Sequence, residues 1–327
     1  MEDVLLNIRE LYTEYNTDHG LVQAVNGVSL KIRRGETLGL VGETGAGKTT
    51  TALSILRLIP DPPGRIKSGQ VFLGGQELTA CSEKEMQKIR GNRISMIFQD
   101  PMTALNPVLS VGEQISEVVR LHEKCSRVQA RERGCRLLEL VGIPANRYKE
   151  FPHQFSGGMK QRVVIAIALA CTPELLIADE PTTALDVTIQ AQVLELIANL
   201  QEKTKAAVLL ITHDLGVVAE VCRQVAIMYA GEIVEYGSTE EIYSAPSHPY
   251  TIGLFRSIPS VDQKVRRLQP IAGLMPDPTA LGPGCPFAPR CPKCSPRCQE
   301  KKPPAVELEG THQVKCWLFA SEEEVSL

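Results

Sequence analysis

Long apolar runs are missing from this chain. The longest, "VVIAIALAC" from Val163 to Cys171, has nine residues. A helix that crosses a bilayer needs roughly 20, so the chain is expected to span no membrane by itself. Its start, "MEDVLLNIRE", carries acids early and lacks the basic, apolar, small-residue order of an export signal. The expected compartment is therefore the reducing cytosol. A strong charge of one sign is missing too: 35 Lys and Arg against 38 Asp and Glu leave a formal net charge of −3. That balance argues against a surface that coats nucleic acid. No repeat at a fixed period appears. Cysteine is sparse over most of the length. Cys81, Cys125, Cys135, Cys171 and Cys222 are scattered and read as small core or surface residues. The other five thiols crowd into Cys285–Cys316.

What is present is an alternation of strands and helices. Residues 4–12 and 21–33 read as strands, and "AVNGVSLKI" has the period-2 pattern of a half-covered sheet. "ETLGLVG" (36–42) is a third strand, followed by a helix over 49–58 that "IPDPPG" ends. "ISMIF", "ELLIADEP" and "AAVLLITHD" read as further strands, and "VTIQAQVLELIANLQEK" as an amphipathic helix. The pattern predicts an α/β fold with a mostly parallel core sheet and an antiparallel β subdomain at the N-terminus. A helical subdomain is inserted over about residues 100–170. Prolines accumulate past Ser244 and periodic segments vanish. The expected division is residues 1–244 and a C-terminal extension, 245–327, held together by something other than a large core.

"GETGAGKTT", Gly42 to Thr50, fits G-x-x-x-x-G-K-[ST] between a predicted strand and a predicted helix. Thr44, Gly45, Ala46 and Gly47 form a loop whose N–H groups can curl around a phosphate, with a helix N-terminus behind it. Lys48 supplies a charge to the β/γ oxygens, and Thr49 offers a hydroxyl to Mg²⁺, with Thr50 next to it. "LLIADEP" is an apolar strand ending in two carboxylates. Asp179 suits Mg²⁺, and Glu180 suits polarising the attacking water.

"FSGGMKQR" (155–162) resembles the signature of ATP-binding-cassette ATPases, with Phe155 and Met159 in place of the usual leucine and glutamine. The resemblance implies that Ser156, Gly157, Gly158 and Met159 present a helix N-terminus to the γ-phosphate of ATP held by a second subunit. It implies that Gln99 in "FQDP" touches Mg²⁺ and the attacking water. It further implies that Asp186 in "TALD" lies in the dimer-contact loop, and that His213 in "ITHD" meets the γ-phosphate and orients Glu180. Tyr15, ahead of the strand leading to the phosphate loop, is the expected adenine-stacking ring, with Tyr12 the runner-up.

"FQDPMTALNPVLSVGEQI" (98–115), "SHPYTIGL" (247–254) and the cysteine tail together resemble the ATPase subunits of dipeptide/oligopeptide importers, over essentially the whole chain. That likeness implies a transport-coupled ATPase at the cytoplasmic face of the cell membrane. Its implied partners are a paralogous or identical ATPase, two membrane-spanning permeases and, indirectly, an extracytoplasmic solute-binding protein. Nickel or another small solute is the alternative cargo. A soluble cassette ATPase acting on nucleic acid is the competing class. The acidic balance and the single cassette without a basic arm argue against it.

The tail spacing is C-x5-C-x6-C-x17-C over Cys285, Cys291, Cys298 and Cys316, with Cys294 left over. Two C-x2-C pairs, the mark of a zinc ribbon, are not there. Four thiolates on a proline-bounded segment suit a [4Fe–4S] cluster, and some peptide-importer ATPases resemble this pattern. Zn²⁺, with His312 as its spare ligand, and unligated thiols or disulfides are the alternatives. Cys294 remains open as a substitute for Cys291 or Cys298. A metal clip would supply folding energy that a segment poor in apolar periodicity lacks.

Overall fold

The computed structural model describes residues 3–182, 187–257 and 270–320. In chain order the first elements are β1 (Val4–Thr17), β2 (Gly20–Arg33), β3 (Thr37–Val41), α1 (Lys48–Ile55), β4 (Gly64–Leu73) and β5 (Gln76–Glu77). α2 (Glu83–Ile89), β6 (Ile94–Ile97) and the helices α3 (Pro101–Ala104), α4 (Val111–His122), α5 (Arg127–Leu140) and α6 (Gly157–Ala168) follow. Next are β7 (Leu175–Asp179), α7 (Val187–Thr204), β8 (Ala207–Thr212), α8 (Leu215–Val221), β9 (Gln224–Tyr229) and β10 (Glu232–Ser238). The chain closes with α9 (Thr239–Ser244), α10 (Pro249–Arg256), α11 (Pro296–Glu300), β11 (Ala305–Glu307) and β12 (Gln313–Lys315).

The chain divides into two compact units. One is drawn from Met1–Asn7, Lys31–Thr37 and Phe72–Ile211. In it β6, β7 and β8 run parallel, with Ile94 opposite Leu175 and Leu175 opposite Ala207. Every residue of β7 and β8 is buried. That is why both read as unbroken apolar runs rather than as alternating ones. In the helical stretch, α4, α5 and α6 each start on a serine cap, Ser110, Ser126 and Ser156. Ser110 accepts from the Glu113 N–H, and Ser126 makes a reciprocal box with Gln129. Such caps satisfy N–H groups that a helix start would otherwise leave without partners.

The other unit comprises Ile8–Leu30, Leu38–Val71 and Thr212–Leu327. Here β3 pairs parallel with β9, and β9 turns back antiparallel into β10. β12 adds antiparallel to β10, Glu235 opposite Val314, and β11 adds to β12. The extension is thus a continuation of a sheet, and it carries its own buried side chains. Phe287 is packed edge-on against Tyr229 at 5.2 Å between ring centroids, and Tyr250 lies 4.6 Å from Tyr229. All three rings are fully buried, each stabilising the fold by roughly 1.5–3 kcal/mol.

Candidate functional site

The phosphate loop lies in the second unit. β3, buried from Leu38 to Val41, delivers the chain into it. Glycine is required at two positions by what presses on the loop. A Cβ at Gly42 would stand 2.2 Å from the Met228 carbonyl oxygen, and one at Gly47 2.3 Å from that of Ala24. Gly47 is also left-handed, with φ +101, and caps α1. The buried Lys48 amine donates to the carbonyls of Gly42 at 2.7 Å and Glu43 at 3.1 Å, which keeps it inside the loop. The Ala46 carbonyl accepts from the Gly231 N–H at 2.8 Å. Thr44, Gly45 and Thr49 are exposed, and Thr50 is half-buried. The ring of Tyr15 is half-buried against Gly64, and the Tyr12 hydroxyl lies beside Gly27.

The carboxylates stand at the end of β7 in the first unit. Asp179 is only 2% exposed. Glu180 follows in the left-handed region, φ +46. This is an uncommon conformation for a residue with a side chain, and it is found where a fold must aim a group. Its N–H extends the ladder to the Ile211 carbonyl at 2.9 Å. The Gln99 amide donates to the Glu180 carboxylate at 2.8 Å. That contact turns the donor end of Gln99 to the carboxylate and leaves its carbonyl oxygen for a metal ion or water. Gln161 donates to the Pro181 carbonyl at 2.7 Å and ties α6 to the same turn. Nothing in the sequence alone marks Gln161 for this task.

The signature opens α6, also in the first unit. Ser156 is exposed and its hydroxyl accepts from the Met159 N–H at 3.4 Å. Gly157 faces open space, whereas a Cβ at Gly158 would stand 2.7 Å from Ile189 of α7. Gly158 therefore serves packing as well as an open helix start. Arg147 lies over the Phe155 ring at 4.3 Å and donates to the Met159 sulfur, bracing this entry. Asp186 lies outside the described residues. His213, exposed, sits in the second unit at the bend between β8 and α8. Asp214, next to it, caps α8 by accepting from the Gly216 N–H at 2.8 Å. Beside α4, a groove of about 640 Å³ is lined by Val108, Leu109, Arg131, Tyr148 and Phe151 among others.

In the tail, Cys285, Cys291, Cys298 and Cys316 all line one cavity of about 270 Å³, with Phe287 and Trp317. Cys294 does not. Its sulfur lies 3.5 Å from the Ser295 carbonyl. Burial pushes the Cys285 thiol up to about 12, and the neighbouring thiols add to it. Among the described residues, no three His, Cys, Asp or Glu side chains converge as they would on a single metal ion. That finding supports neither the cluster nor the zinc expectation. His312 is not spare, because its Nε2 is bonded to the buried Glu235 carboxylate at 2.7 Å. Cys285, Cys291, Cys298 and Cys316 share one cavity wall, and four cysteines are the donor set a [4Fe–4S] cluster would take.

A glycine loop closing on a buried lysine, and a buried strand ending in Asp-Glu with a glutamine on the glutamate, define a phosphate-loop ATPase of the ATP-binding-cassette class. Residues 25–183 match the family model for ABC transporter, and residues 234–298 match the oligopeptide/dipeptide transporter C-terminal region. The dipeptide transport ATP-binding protein DppD of Bacillus subtilis (strain 168) is 51% identical over 97% of this chain and 95% of its own. The oligopeptide transport ATP-binding protein OppD of the same organism is 52% identical over 96% and 89%. A solved post-hydrolysis dimer of an ATP-binding cassette bound to ADP and Pi is 26% identical, with a TM-score of 0.65 over 72% of this chain and 98% of that one. The chain belongs to the family of oligopeptide/dipeptide ABC-transporter ATP-binding proteins. No helix among the described residues is long and apolar enough to cross a membrane.

Proposed function

We propose that this chain is one half of a two-cassette motor that couples ATP hydrolysis to uptake of dipeptides or oligopeptides. Its partners are a second cassette, paralogous or identical, and two permease subunits that receive solute from an extracytoplasmic binding protein. It works peripherally, at the cytoplasmic face of the cell membrane. Residues 1–244 carry the motor and residues 245–327 the tail. The hydrolytic role rests on one observation, the hydrogen bond from Gln99 to Glu180 at the end of buried β7.

The phosphate loop binds the triphosphate through the N–H groups of Thr44 to Thr50, with Lys48 neutralising the β/γ oxygens. Thr49, Asp179 and Gln99 are the residues that would supply oxygen donors of the kind Mg²⁺ takes. When bound, the ion neutralises charge on the phosphates. Glu180 accepts a proton from the attacking water as its oxygen joins the γ-phosphorus and ADP departs. Gln99 holds that carboxylate in place, and His213 orients it and meets the γ-phosphate. Ser156, Gly157, Gly158 and Met159 complete the partner's nucleotide site with helix-start N–H groups, and Asp186 lies at the contact between cassettes. Tyr15 stacks on the adenine. The segment "DPMTALNP" (100–107) lines a groove that receives a short permease helix.

In the tail, Cys285, Cys291, Cys298 and Cys316 would hold a [4Fe–4S] cluster, which would fasten the extension. Anaerobically purified protein should carry about four iron and four sulfide per chain, the complement of one such cluster, with visible absorption. Colourless, iron-free protein would remove that part of the reading. The motor role is tested in proteoliposomes with the neighbouring permeases and binding protein. ATP hydrolysis should rise when the binding protein is loaded with peptide. Hydrolysis that ignores every peptide would refute the cargo.

A further inference from the structure

One side chain of the cysteine-rich extension reaches the phosphate loop. Arg290 closes the short helical turn Ala288–Arg290, immediately before Cys291. Its side chain is 6% exposed, against 28% for Glu43. The two meet in a fork, Nη1 to Oε2 at 2.7 Å and Nη2 to Oε1 at 3.1 Å. The remaining donors are also engaged. Nε donates to the Ala272 carbonyl at 3.0 Å, and Nη1 also donates to the Tyr229 hydroxyl at 3.3 Å. A planar fork held on three sides has one orientation, which a lysine could not reproduce.

Glu43 is the second residue of the glycine loop, and each of its polar atoms is held. Its N–H donates to the Tyr250 hydroxyl at 2.9 Å, and its carbonyl accepts from Lys48 at 3.1 Å. Its two carboxylate oxygens face Arg290. A carboxylate at this position opposes the function of the loop, because it adds negative charge beside a site for a triphosphate. Burial lowers the screening between them and raises the cost of that repulsion. Arg290 cancels the charge and fixes the carboxylate turned toward the tail.

We propose that Arg290 is a positioning residue for nucleotide binding: by pairing with Glu43 it neutralises and orients the entrance of the phosphate loop, so the cysteine-rich extension sets the affinity for ATP. This rests on the phosphate-loop reading of Gly42 to Thr50.

The test is the Mg·ATP dissociation constant of the full chain, by calorimetry, alongside its melting temperature. Arg290→Met keeps the stem and removes the charge. It should weaken ATP binding about tenfold, equivalent to ~1.4 kcal/mol, and the loss should shrink at high salt. Adding Glu43→Gln to Arg290→Met should restore affinity to within about threefold of the unsubstituted chain. Glu43→Gln alone, a change of charge without change of shape, should bind ATP at least as tightly as the unsubstituted chain. Unchanged affinity in Arg290→Met overturns the proposal. So does an equal loss in the single and double variants, which would mean that Arg290 only packs the tail. A tenfold loss in Glu43→Gln alone also overturns it. Lys48→Ala separates the two readings. If it keeps its nucleotide, the phosphate-loop reading fails; if it loses nucleotide while Arg290→Met keeps it, only the role of Arg290 fails.

Discussion

Replacing Glu180 with glutamine isolates the proton-accepting step from everything else this residue does. The amide has the shape of the carboxylate. Its oxygen can still accept from Gln99, which now donates at 2.8 Å, and the backbone N–H still reaches the Ile211 carbonyl at 2.9 Å. The left-handed φ of +46 is equally accessible to glutamine. The structural cost is therefore the difference between a charge-assisted and a neutral hydrogen bond at a half-buried position, about 1 kcal/mol. The catalytic cost is the whole contribution of a general base, about 10²–10⁴ in rate. At 1.36 kcal/mol per decade that is about 2.7–5.5 kcal/mol of barrier. Affinity for Mg·ATP should stay within about threefold, because the loop around Lys48 is untouched. Phosphate release at saturating ATP, measured beside the nucleotide dissociation constant, separates the two. A turnover loss smaller than about tenfold would refute the role given to Glu180. A parallel loss of affinity would show that its contribution is to binding.

Three further outcomes are expected. The buried Glu235 carboxylate accepts from the N–H groups of Ser247 at 2.6 Å and His248 at 2.9 Å and from His312 at 2.7 Å. Glu235→Ala leaves these donors buried without that acceptor. It should cost at least about 3 kcal/mol and lower the melting temperature by several degrees, and an unchanged melt would contradict this account. Burial pushes the Glu241 carboxyl up, but the N–H groups of Ser238 and Thr311 and the Thr311 hydroxyl outweigh it, and the group is held at about 2 against an ordinary 4.5. Its folded value lies below its unfolded one, so its stabilisation is complete above 4.5 and disappears as pH falls toward 2. The stability gap between the unsubstituted chain and Glu241→Gln should close over that window, and a pH-independent gap would argue otherwise. Finally, Cys298→Ser should abolish bound iron and visible absorption, whereas Cys294→Ser should keep both. Equal loss in the two would place Cys294 among the ligands.

The parts of the site that could be read in the sequence are those written within a few consecutive residues. Gly42 to Thr50 between a strand and a helix, the buried run ending in Asp179 and Glu180, and Ser156 before Gly157 each declare themselves locally, because a turn, a cap or a buried strand depends on neighbours along the chain. β4, β9 and β10 carry no such local mark. "GRIKSGQVFL" is interrupted by charges and glycine, and β9 is buried almost throughout and shows no alternation. β11 and β12 have three residues each, shorter than any pattern that periodicity can detect. Pairings across the chain were decided only by the tertiary structure. Gln99 meets Glu180 across 81 positions, His312 meets Glu235 across 77, and Arg290 meets Glu43 across 247. None of these contacts leaves a local trace, because each depends on how sheet strands and the tail are brought together. The same holds for the four thiols. Their spacing marks them as a set, but only the folded tail places Cys285, Cys291, Cys298 and Cys316 around one cavity and leaves Cys294 outside it.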